Sequence, residues 1–465
     1  MLNRFKTDII YGLGRGLEMV VNNMEKDMSA HRRAVKSIYL IFLSVFSFVF
    51  CGIAYAAGED KPCIVRTVEY PGKDPTMWDG LYAASDGKVY SGLITEGGSA
   101  HFYVYDPVKD VQRMLYDIAD FVGERGKGTR LSCKIHCRPV EDKEGNIYFA
   151  TLNNGSGPAG VDFTSWQGGR WFKYDPKTEK LEDMGLVGQN EDGPYPLTID
   201  RERMYLFGIG FTGYLYRFDI KNRVTKNLGN VSQPDVCRGI FCDDEGNVYG
   251  SFPVARIWKY DAKREKTYDL SIRMPYDATI YPSRLNNPTI DRTYDWRSIQ
   301  WDPVEKVAYG VTCGSGSILF KFDPHDGPEG KMTELAKLCD SKFFGRKDIP
   351  YSTLAFALDA KNKRIYYAPS GRPYTPDNYV ETFGSGDDHH LVMYDLKTNQ
   401  RVELGVLRSD DGRRVFGCEG AAVAPDGTLY LCGQVEVDPQ KATRHTRGTD
   451  IPIALRLIIY KPQLN

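Results

Sequence analysis

Neither sign of charge dominates this chain: 60 lysines and arginines stand against 61 aspartates and glutamates, for a formal net charge of −1. The positive footprint with which proteins engage phosphate backbones is missing, so nucleic acid is excluded as a partner. No Gly-x-Ser-x-Gly elbow, P-loop or His-Glu-x-x-His occurs. The nucleophilic, nucleotide-binding and zinc-protease chemistries that those motifs carry are set aside with them. Long apolar runs are confined to one stretch near the N-terminus. What the chain does have is 46 glycines, 30 tyrosines and 22 phenylalanines, a mixture that favours short strands and tight turns over long helices. With 42% apolar residues it buries a large core, and the expected class is all-β.

The apolar stretch reads as an export signal. His31-Arg32-Arg33-Ala34-Val35-Lys36 precedes an apolar run from Ile38 to Ile53, and Ala54-Tyr55-Ala56 supplies a small-x-small cleavage site. The expectation is cleavage after Ala56 and a secreted or periplasmic product, with Met24 or Met28 as the working start and residues 1–56 outside the fold. The alternative is a membrane anchor formed by residues 38–56, the chain's one route to a membrane. Cys51 lacks the small neighbour of a lipoprotein site, because Phe50 precedes it. Nine cysteines follow Ala56. That odd number cannot pair completely within the chain, and a core this large does not need staples, so most are expected to be buried small apolar residues. Cys133 and Cys137 lack the spacing of common zinc pairs.

A repeat organises the remainder. A polar turn, an aliphatic residue and a tyrosine recur at Asp86-Gly87-Lys88-Val89-Tyr90, Glu144-Gly145-Asn146-Ile147-Tyr148, Arg203-Met204-Tyr205 and Glu245-Gly246-Asn247-Val248-Tyr249. They return at Lys306-Val307-Ala308-Tyr309, Lys363-Arg364-Ile365-Tyr366 and Asp426-Gly427-Thr428-Leu429-Tyr430. After each comes an alternating strand that ends in an aromatic residue and usually Asp, as at Tyr105-Asp106-Pro107, Tyr174-Asp175-Pro176 and Phe322-Asp323-Pro324. Each unit reads as four strands, and units of this length set side by side form a seven-bladed β-propeller, a single domain over residues 57–465. The last unit runs out of chain before a fourth strand, while Cys63-Ile64-Val65-Arg66-Thr67-Val68-Glu69-Tyr70 is a strand with no partner. The N-terminal strand is therefore expected to complete the last blade, beside residues 454–460.

The register of the repeat places side chains. The starts of first and third strands fall at the same end of the ring. Four residues before the aromatic of each third strand stand His101, Arg170, Tyr214, Arg256, Ile318, His390 and Arg456. Near the starts of the first strands stand Trp78, His136, Tyr195, Arg238, Arg297 and Glu419. A polar residue at a strand start is more often solvated, or an ion-pair partner, than functional. The combination is what points to chemistry: His or Tyr moves a proton while Arg neutralises a carboxylate. That is the requirement of β-elimination in a uronate-containing polysaccharide, where the C5 proton leaves only if the neighbouring carboxylate is neutralised by arginine or a metal. Hydrolysis would need two spaced carboxyl groups, and this rim offers mainly Glu419 and Asp79.

The Asp-Gly-Lys-Val-Tyr and Tyr-Asp-Pro units, the export signal, His101-Phe102-Tyr103-Val104-Tyr105-Asp106-Pro107, and Lys134-Ile135-His136 followed by Gly145-Asn146-Ile147-Tyr148-Phe149-Ala150-Thr151 resemble bacterial secreted seven-bladed propellers that include ulvan and oligogalacturonate lyases. The resemblance spans about residues 62–462. It implies a polysaccharide lyase in which Tyr214 or Tyr195, His101 and His136 perform acid–base chemistry and Arg238 neutralises the uronate. Arg170, Arg256, Arg297, His390 and Glu419 would join Tyr195 in binding an acidic polysaccharide or oligosaccharide. No cofactor is required by this reading; a divalent cation, calcium or zinc, is the alternative neutraliser. The competing function is a non-catalytic propeller that binds glycan or protein.

Overall fold

The computed structural model describes residues 61–463 apart from 73–75, 96–97, 129, 154–166, 189–192, 233–236, 253–254, 276–294, 314–316, 340, 342–351, 370–387 and 447–449. The export signal and the alternative anchor at 38–56 lie outside the described residues. Among the described residues no helix is long and apolar enough to cross a membrane.

The repeated sequence signatures act through aspartate. In the first hairpin of a unit the Asp side chain accepts the backbone N–H groups two to four residues on, as Asp142 does from Glu144 and Asn146 at 3.0 and 2.8 Å. The other carboxylate oxygen takes the tyrosine hydroxyl of the returning strand. Tyr90 donates to Asp86 at 2.9 Å, Tyr148 to Asp142 at 2.9 Å and Tyr249 to Asp243 at 3.2 Å. The Asp that ends the third strand in the first six units likewise accepts backbone N–H groups in the next turn, with Asp219 accepting from Lys221 and Asn222 and Asp395 from Lys397 and Thr398. Such Asx turns hold the tight reversal that the four-stranded unit needs.

Five four-stranded antiparallel sheets result, each in simple up-and-down order, spanning Leu81–Asp117, Val140–Leu186, Pro194–Asn230, Ile240–Arg273 and Trp296–Lys337. The remaining strands form one nine-stranded sheet. In it the strand Pro62–Glu69, here β1, joins two halves. Arg66–Glu69 pair antiparallel with Arg456–Ile459 of Pro452–Tyr460. Pro62–Val65 pair parallel with Val406–Ser409 of Gln400–Ser409. The expected pairing of β1 with the last unit is present. The expectation of seven separate sheets is corrected to five and a nine-stranded one, because the first half of β1 extends the ladder onto the neighbouring unit as well.

The first strands of successive units pack on one another, Leu81–Ala83 against Val415–Val423, that strand against Phe356–Asp359, and onward through Trp296–Asp302, Ile240–Cys242, Pro194–Asp200 and Val140–Glu141. They surround a common axis, as in a propeller. Between neighbouring sheets the core is aromatic: Phe102 lies 4.5 Å from Phe149, and Trp171 5.6 Å from Phe218, between ring centroids. The nine cysteines beyond Ala56 are all buried and free, in keeping with their reading as small apolar residues.

Candidate functional site

The starts of the first strands bring side chains from different units to the axis. His136 is buried. Its ring lies parallel to the Trp78 indole at 6.0 Å and meets the Tyr195 ring edge-on at 4.4 Å. Arg238 stacks its guanidinium 4.5 Å above the Tyr195 ring, a cation–π contact, and places Nη1 3.4 Å from His136 Nε2. Burial pushes the His136 pKa well below the usual imidazole value, and the positive charges of Arg238, Lys134 and Arg297 push the same way. The ring is thus a neutral imidazole with Nε2 as acceptor toward Arg238.

Acids complete the cluster. Glu419 and Arg297 are both buried, with Oε2 and Nη2 3.6 Å apart. Glu419 Oε2 also accepts the Leu354 N–H at 2.8 Å, while its Oε1 has no hydrogen-bond partner among the described residues. Burial lifts the Glu419 carboxyl to about 7 against the opposing pull of Arg297. Asp295, two residues before Arg297, is likewise raised to about 7 by burial. Asp79 accepts from Arg138 at 2.8 Å, and that guanidinium also reaches the Phe356 carbonyl at 3.1 Å, tying three units together across the axis. Asp79 sits at φ 59°, the left-handed region that costs most residues strain and that Asp tolerates better than most. Gly80 beside it permits the close approach: a Cβ there would lie 2.3 Å from the Gly92 carbonyl oxygen.

Of the residues singled out in the sequence, His136, Tyr195, Arg238, Arg297 and Glu419 belong to this central cluster. The residues at third-strand starts are occupied differently. His101 faces Asp117 at 3.4 Å, Arg170 binds Asp183 at 2.7 Å, Arg256 binds Asp269 at 3.1 Å and His390 faces Glu403 at 3.1 Å. Arg456 repeats the pattern with Glu69 of β1 at 3.6 Å. Each is a bridge from a third strand to the strand beside it, the ion-pair role weighed above. Tyr214 is exposed at its strand start, opposite Asn230. Arg138 and Asp295 were not singled out by the repeat. They lie two residues from His136 and Arg297, just ahead of the strands that begin at Val140 and Trp296.

Among the described residues no group of three or more His, Cys, Asp and Glu could hold a metal ion. Two of the central carboxylates, Asp79 and Glu419, already face guanidinium groups.

No family model matches the chain, and no curated protein matches it in sequence. Solved structures match it in fold. The β-propeller domain of Cps50 (Swd1) from Myceliophteria thermophila aligns at a TM-score of 0.51 and 12% identity, covering 86% of this chain and 100% of that one. The WD40 repeats of RRP9 align at 0.52 and 10%, covering 86% and 99%. Virginiamycin B lyase from Staphylococcus aureus aligns at 0.51 and 9%, covering 87% and 100%. The fold is therefore that of a β-propeller, and likeness at such identities concerns the fold alone.

Proposed function

We propose that the protein is an exported, seven-bladed polysaccharide lyase that cleaves a uronate-containing chain by β-elimination at the central cluster. Counting β1 as the fourth strand of the last unit divides the nine-stranded sheet into two blades, which supports seven. The observation that carries the chemistry is the contact of a neutral, buried His136 with Arg238, itself stacked on Tyr195. When Arg238, with Arg297, turns to a uronate carboxylate, the Nε2 lone pair of His136 is released to take the C5 proton. The C5–H electron pair forms the C4–C5 double bond, the C4–O bond breaks, and the departing oxygen takes its proton from the Tyr195 hydroxyl. Guanidinium groups rather than calcium or zinc supply the neutralisation. His101, Tyr214 and the bridged residues Arg170, Arg256 and His390 stand outside this set; their expected part in acid–base chemistry or polymer binding becomes a question of reach across the rim.

One structure of this fold carries the name of a lyase and another that of WD40 repeats, so the fold does not choose between chemistry and binding. A panel of uronate polysaccharides, followed by the ultraviolet absorbance of the unsaturated product, does. The expected outcome is turnover of one acidic polymer that falls about 10²-fold or more in His136→Ala, with an unchanged circular dichroism spectrum. Absence of product from every polymer would leave the non-catalytic propeller as the reading.

A further inference from the structure

The channel does not end at the His136 cluster. On its hairpin side the first strands enclose a cavity of about 610 Å³, a size typical of small-molecule sites. Its walls combine the apolar Tyr82, Ile199, Phe241 and Trp301 with charged residues toward both ends. Phe241 is buried between Tyr249 and Trp301, stacked on them at 4.9 and 5.6 Å, so the half-buried Trp301 is the ring of this stack that faces the cavity. Tyr82, Ile199 and Trp301 are only half-buried although they sit on the innermost strands, so the wall is not packed shut. At the inner end two guanidinium groups, Arg138 and Arg238, stand with a single carboxylate, Asp79. At the outer end the acids have partners: Asp200 pairs with Arg203 and Asp244 with Lys306, each at 2.8 Å, Glu202 pairs with Lys143 at 2.6 Å, and Asp243 accepts from Asn247 and Tyr249 at 2.9 and 3.2 Å.

We propose that this cavity is a second ligand site, for a small, flat aromatic carboxylate that lies against Trp301 with its anionic end toward Arg138 and Arg238. The aromatic body exchanges water for the half-buried Trp301 and the apolar side chains beside it. The carboxylate meets the end of the cavity where positive charge exceeds negative, and guanidinium is the side chain best shaped to hold it. A cation is disfavoured at that end, and the outer acids have partners. Because Arg238 borders both this cavity and His136, a ligand here also competes for the guanidinium that holds the His136 lone pair. The site does not depend on the lyase reading.

The test is calorimetric titration of the full chain with 2-naphthoate, and with 2-naphthamide and 2-naphthylamine as neutral and cationic counterparts. Saturable one-to-one binding of 2-naphthoate is expected, with the other two weaker by about tenfold or more. Ile199→Trp fills the cavity without touching the inner end and should weaken 2-naphthoate by a similar factor. Arg138→Gln should remove the preference for the carboxylate over the amide. Failure of 2-naphthoate to bind, equal binding of the amide or the amine, or an Ile199→Trp variant that binds as the parent does would each overturn the proposal. Should Arg138→Gln not fold, Ile199→Trp and the three probes still decide.

Discussion

His136 is the residue on which most of the chemistry turns, and its charge state follows from its surroundings. Burial is the larger cause of its lowered pKa and the neighbouring cations add to it. Removing one cation should therefore raise the value. In Arg238→Gln the imidazole titration, followed by its carbon-bound proton resonances in magnetic resonance spectra, should move upward toward the ordinary range while staying below it. An unchanged or lower value would mean that Arg238 does not act on the ring. The same logic separates the two classes of sequence-selected residue. Residues at first-strand starts meet one another at the axis. The basic ones at third-strand starts meet an acid on the strand beside them, as Arg170 meets Asp183. Residue type alone could not distinguish them, since arginine and histidine occur in both sets.

Among the elements, β1 is the one whose position has the largest consequence. Its alternation is visible in burial: Cys63 and Val65 are 5% and 1% exposed, whereas Ile64 is 56% exposed. A charge at Val65 would enter the core without a partner, so Val65→Asp should cost about 3–5 kcal/mol in chemical denaturation. Ile64→Asp, one residue away on the outer face, should stay within about 0.5 kcal/mol of the parent. Equal effects from the two would show that β1 does not pack as described. That β1 pairs with the last unit was legible from a missing strand at one end of the chain and a spare one at the other. Its parallel pairing with Val406–Ser409 was not. No sequence signal marks a strand that serves two neighbours, because the choice depends on where the outer strand of the adjacent unit happens to lie.

At the scale of the whole molecule the core is built from neighbour-to-neighbour contacts, and its thiols share in it. Burial raises Cys63, Cys137 and Cys237 to about 12, so almost no thiolate exists at neutral pH, and thiolate is the reactive form. A thiol-reactive aromatic disulfide should label the native domain slowly, with the nine sites beyond Ala56 becoming reactive only on unfolding. Rapid labelling of several sites in the native state would contradict the packing. The all-β class, the four-strand unit and the turn chemistry were determined by the sequence alone. They are local, written in alternation, Asx turns and the Asp–Tyr spacing, and they repeat often enough to be read without neighbours. Which polar strand starts gather on the axis, and that Arg138 and Asp295 join them, was decided only by the tertiary structure. Those contacts join residues far apart in the chain, as His136 and Arg238 are, and their burial, not their identity, sets the charge each one carries.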